Sequence, residues 1–123
     1  ADFALARYTT NGGLDNSFDE DGRVTTDLSA GDDHITSLGL QPNDKLVVAG
    51  RAYTATGCDI ALARYTPEGD LDPEFSEDGW LVQDFYAGDD SVQALIMLPK
   101  GPLLVAGYAD NGTDFDFVAV RYR

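Results

Sequence analysis

An all-β chain of short antiparallel strands is what this sequence predicts, and three observations predict it. Residues 2–58 align without a gap with residues 59–115, an offset of 57 residues, and roughly half of the positions are identical. The run DFALARY at 2–8 returns as DIALARY at 59–65 and as DFVAVRY at 116–122. The apolar runs are short and rich in β-branched and aromatic residues, and Gly, Pro, Asn and Asp interrupt them at strand-like spacing. A gapless internal repeat of this kind marks a solenoid, a propeller or an array.

Each repeat reads as four strands. Residues 59–66 form one, ended by the turn cluster Pro67-Glu68-Gly69-Asp70. Residues 80–86 (WLVQDFY) form the next and stop at Ala87-Gly88-Asp89-Asp90. Residues 91–98 follow, halted by Pro99-Lys100-Gly101-Pro102. Residues 103–109 (LLVAGYA) precede Asn111-Gly112, a strong hairpin-turn pair. The first copy gives the same series at 23–28, 34–40 and 46–53, and residues 2–8 and 116–122 repeat the strand at 59–66.

Four short strands joined by tight turns describe one antiparallel propeller blade. Leu103-Leu104-Val105-Ala106 shows no polar alternation, as expected of a sheet covered on both faces by its neighbours. The small Ala4, Ala6, Ala61 and Ala63 suit close approach of sheets. The expected organisation is a single propeller-type module over 1–123, with repeat one at 2–58, repeat two at 59–115 and the start of a third at 116–123. The strand series runs from half a blade, through one whole blade, to three strands of another. Two repeats cannot close a ring of about four to eight blades. The expected partners are therefore copies of the chain in a ring-like homo-oligomer, or other blades of a longer parent chain. Residue 1 is Ala rather than Met and no signal-peptide pattern is present, which is expected of a processed or excised product.

A net charge of −14 argues against nucleic acid as a partner and against an anionic membrane surface, since both need clustered Lys and Arg. Insertion into a membrane is not expected either, because the longest apolar run spans only residues 94–98. Of the 22 acidic residues 18 are Asp, the residue that satisfies turn N–H groups, so the acidity reflects many turns first. It also suits a salty or calcium-rich exterior. Cys58 stands alone and corresponds to Phe115, which marks a packing thiol rather than a disulfide framework.

No phosphate loop, nucleophile elbow or Cys/His metal cluster occurs, and His34 is the sole imidazole. No catalytic residue is expected. Arg7 and Arg64 recur inside apolar strands and need partners, and Asp27 and Asp84 on the adjacent strands are the expected ones, as structural ion pairs. The turns at Asp19-Glu20-Asp21-Gly22 and Glu77-Asp78-Gly79 put carboxylates around a Gly bend, so Asp19, Asp21 and Asp78 are candidate calcium ligands. They lack the closing Glu of an EF-hand loop. Trp80 corresponds to Arg23, lies outside the repeated core, and is a candidate platform for stacking on a sugar.

Several recurring elements together resemble the bacterial delta-60 repeat. They are LARY at 5–8 and 62–65, Leu14-Asp15 with GDLD at 69–72, Asp21-Gly22 with Asp78-Gly79, the GDD triplets at 31–33 and 88–90, and VVAG at 47–50. The resemblance implies tandem propeller repeats in large secreted or surface-associated bacterial proteins. It brings no established activity and hence no catalytic residue. Gly101-Pro102 departs from the family's Gly-Lys, and Asp19-Glu20 and Ser76-Glu77 stand where the family often has Gly. The expected function is a non-enzymatic extracellular scaffold or protein-interaction module. A calcium- or carbohydrate-binding propeller is the alternative, and part of a propeller hydrolase or lyase a third.

Overall fold

The computed structural model describes residues 1–123 as nine β-strands with no helix. Strands β1 (Phe3–Ala6) and β2 (Arg23–Thr26) form a two-stranded sheet. Strands β3 (Asp33–Leu40), β4 (Leu46–Tyr53), β5 (Cys58–Tyr65) and β6 (Trp80–Gln83) form a four-stranded sheet in that order. Strands β7 (Asp90–Met97), β8 (Leu103–Asp110) and β9 (Phe115–Tyr122) form a three-stranded sheet. Every pairing is antiparallel between chain neighbours, and the sheets do not close on themselves.

The strands at 23–28 and 80–86 are shorter than the sequence suggests, and buried Asp side chains explain why. The N–H of Leu28 donates to Asp33 Oδ2 at 2.7 Å, and that of Phe85 to Asp90 Oδ2 at 2.8 Å. These carboxylates take the backbone donors out of the ladder, so pairing ends at Thr26 and Gln83 and the chain crosses to the next sheet.

The four-stranded sheet lies between the other two. One of its faces (Val48, Ala52, Ala61, Ala63, Tyr65) packs on Phe3 and Leu28 of the first sheet and its exit. The opposite face (Val47, Ala49, Ile60, Leu62) packs on Val92, Leu103 and Val105 of the third. Burial on both faces is why β4 and β5 are apolar without alternation. The same contact recurs at both junctions. Tyr65 Oη shares a hydrogen bond with Thr26 Oγ1 at 2.6 Å, and 57 residues on Tyr122 Oη donates to Gln83 Oε1 at 2.7 Å. Burial raises both phenols, Tyr122 to about 12.

The outer faces are open. On the first sheet Tyr8 is 62% exposed, whereas its counterpart Tyr65 is fully buried. On the third sheet Phe117 is 101% exposed, whereas Phe3 and Ile60 at the equivalent positions are each 1% exposed. Each of the two longer sheets also carries a bulge, between Ile35 and Ser37 and between Val92 and Ala94. A glycine faces each of them. A Cβ on Gly50 would stand 1.9 Å from the His34 carbonyl oxygen, and one on Gly107 1.8 Å from that of Ser91.

Candidate functional site

The recurring arginines are paired, but not with the carboxylates expected from the sequence. Isolated bridges Tyr8–Leu14 and Tyr65–Leu71 fold the chain back after β1 and β5, bringing the residue after each Leu beside the Arg. Arg64 Nε therefore donates to Asp72 Oδ2 at 2.6 Å, and Arg7 Nε to Asp15 Oδ2 at 2.8 Å. Asp84 and Asp27 lie beyond the ends of β6 and β2, turned to other company, and make no ion pair. The guanidinium of Arg7 also covers Phe18, at 4.8 Å, and that of Arg64 covers Phe75, at 5.2 Å.

The two pairs differ in setting. Asp72 is buried and also meets Lys45 Nζ at 2.8 Å. Burial pushes its carboxyl up, but hydrogen bonds from Lys45, the Glu74 N–H and Arg64 outweigh that and hold it below the ordinary range. Asp15 is more exposed, and the Ser17 hydroxyl and N–H, ahead of Arg7, hold it low. Arg7 also reaches the Pro67 carbonyl at 2.6 Å and Ser17 Oγ at 2.8 Å, the first of these tying the first sheet to the turn after β5. These are structural contacts, each Arg–Asp pair joining a strand to the turn that follows it.

The structure does not gather Asp19, Asp21 and Asp78 with other carboxylates into a cation-sized cluster. Asp21 Oδ1 accepts the N–H of Arg23, and Asp78 Oδ1 that of Trp80. Asp19 and Glu20 have φ of 48° and 63°, and Ser76 and Glu77 51° and 69°. The left-handed turn explains why glycine suits these places. Trp80 is not a free platform. It is half-buried and packs on the core between the first and central sheets.

Two carboxylate clusters that the sequence reading missed lie where the chain passes from one sheet to the next. Asp2, Asp27 and Asp33 form one, and Asp59, Asp84 and Asp90 the other, 57 residues on; in each, one oxygen per residue lies within 4.8 Å of the others. Asp33, Asp59 and Asp90 are buried, while Asp2, Asp27 and Asp84 are exposed. Burial raises the Asp90 carboxyl, and the negative charges of Asp84 and Asp59 add to it. The signal was present in the sequence: all three Asp of the first cluster recur in the second copy, which turn chemistry alone does not require of Asp27 and Asp84.

Residues 1–18 and 41–75 match a family described as "Domain of unknown function (DUF5122) beta-propeller". The match takes in both Arg–Asp pairs and the central strands β4 and β5, and stops short of Asp84 and Asp90. Among curated proteins no match is found. The matched segments make this chain similar to a β-propeller family over part of its length, and the all-antiparallel, helix-free architecture accords with that similarity.

Proposed function

We propose that the chain is a non-enzymatic propeller module that acts as a scaffold or protein-interaction surface outside the cell. In this reading the 57-residue repeat is a four-stranded blade of the delta-60 kind, and the central sheet is one such blade. The two outer sheets are incomplete blades, which further strands of the same pattern complete. The observation that carries the reading is the pair of open faces. Phe117 on the third sheet is fully exposed at the place where Phe3 of the first sheet meets the central one, and Tyr8 is exposed where Tyr65 is buried. The forward face of the third sheet thus has the character of the face by which the first sheet meets the central one. A second copy of the chain supplies that partner. Such head-to-tail contacts close into rings when the rotation allows, and apolar faces of this kind mark interfaces. The acidic composition favours an extracellular setting.

Light scattering over a rising concentration series tests this. A mass above the 13.2 kDa of one chain is expected, falling to that value in Phe117→Glu. A 13.2 kDa species at high micromolar concentration that melts sharply and cooperatively refutes it.

A further inference from the structure

The second carboxylate cluster has a feature that turns and caps do not account for. Asp59 is 3% exposed and Asp90 is 0% exposed. In each, one oxygen is satisfied: Thr54 Oγ1 donates to Asp59 Oδ2 at 2.6 Å, and the Phe85 N–H to Asp90 Oδ2 at 2.8 Å. The other oxygen, Oδ1 of both, is buried with no hydrogen-bond partner. A buried carboxylate oxygen without a donor is costly, and two beside a third carboxylate are costlier still. No Lys or Arg forms an ion pair with Asp59, Asp84 or Asp90. A cation from outside the chain would supply the charge that no side chain of the protein brings to this cluster.

We propose that Asp59, Asp84 and Asp90 bind one calcium ion at the junction of the central and third sheets. Calcium takes oxygen ligands at about 2.3–2.6 Å. Two ligands of one ion are then at most about 5 Å apart, a limit that the 4.8 Å spread of the three carboxylates meets. Magnesium, with ligands at about 2.0–2.1 Å, needs a tighter cluster. Exposed Asp84 leaves one side of the site open to water, which completes the coordination shell. The ion joins the start of β5, the end of β6 and the start of β7, and so fastens one sheet to the next.

The first cluster is a built-in control. Ser29 Oγ donates to Asp33 Oδ1 at 2.6 Å and the Leu28 N–H fills Oδ2, so Asp33 has no free oxygen. Residue 86, the counterpart of Ser29, is Tyr, and Asp90 Oδ1 has lost that donor. One ion per chain is therefore expected, not two.

The test is calorimetric titration of chelator-stripped full chain with calcium chloride, paired with thermal melting. One site per chain is expected, with Kd on the order of 10⁻⁴ M, and a melting temperature about 5 °C higher when calcium is tenfold above Kd. Asp84→Asn, at an exposed position, and Tyr86→Ser, which restores the hydroxyl donor, should each weaken binding roughly tenfold or more. Asp90→Asn should abolish it, and Asp27→Asn should leave it unchanged. Absence of heat and of any melting shift up to about 10 mM calcium overturns the proposal. So does binding that survives Asp84→Asn unchanged, binding lost in Asp21→Asn, or equal affinity for magnesium. Asp84→Asn decides the matter if Asp90→Asn fails to fold.

Discussion

Ile60 in the central sheet and Phe117 in the third sheet occupy the same place in the repeat, yet one is 1% and the other 101% exposed. Their strands pair with β4 and β8 in the same register, residue for residue. Nothing in the strand's own geometry separates them. What differs is the neighbours: the third sheet covers Ile60 and β6 pairs beside it, whereas Phe117 lies on an edge strand that nothing in the chain covers. Burial here is a property of the stack, and a strand with the pattern of β9 acquires it only when another sheet arrives.

Substitutions at paired positions break or sharpen that comparison. Ile60→Ala removes packing from the core between sheets and should cost about 3–4 kcal/mol in urea denaturation. Phe117→Ala at low concentration should cost less than about 0.5 kcal/mol. Similar losses at both positions would mean that the third sheet's outer face is covered.

Asp72→Asn should cost about 2 kcal/mol, because it leaves half-buried Arg64 facing a neutral amide. Asp15→Asn, in the more exposed equivalent pair, should cost less, and its effect should fade in salt. The pH dependence has a definite sign. The folded Asp72 carboxyl is held low, so its stabilisation is full above the unfolded pKa of about 3.9 and is lost as pH falls through the folded value. Acid denaturation below about pH 4 should therefore cost the wild type more stability than it costs Asp72→Asn.

Tyr65→Phe deletes one half of a hydrogen bond between sheets and should cost about 1 kcal/mol. Tyr122→Phe should cost about the same, since its bond to Gln83 is the same contact one repeat later. The smallest effect is expected at the turns. Glu77→Gly relieves a residue at φ 69° and should stabilise by a few tenths of a kcal/mol, measured as a small rise in melting temperature.

The offset of 57 residues placed every strand within a few residues, because the turn residues and apolar runs recur together. The strand ends at Thr26 and Gln83 were not legible, since they depend on Asp33 and Asp90 capturing backbone donors from another segment. Both arginines were recognised as paired, but Asp27 and Asp84 recur as faithfully as Asp15 and Asp72 do. Only the short bridge after Tyr65 makes Asp72 the neighbour of Arg64. The carboxylate cluster was hidden for a related reason. Asp59 and Asp90 are 31 residues apart in the chain, and their free oxygens exist only once the Phe85 and Thr54 donors have been assigned.

The central claim is that the open face of the third sheet receives another sheet, and fluorine NMR reads it at the residue concerned. With 4-fluorophenylalanine incorporated and the Phe117 signal assigned from Phe117→Leu, that signal should show full solvent isotope sensitivity in dilute solution. It should lose that sensitivity as concentration rises, while the Phe3 signal, buried throughout, stays fixed. A Phe117 signal that remains fully solvent-sensitive at high micromolar concentration contradicts the account.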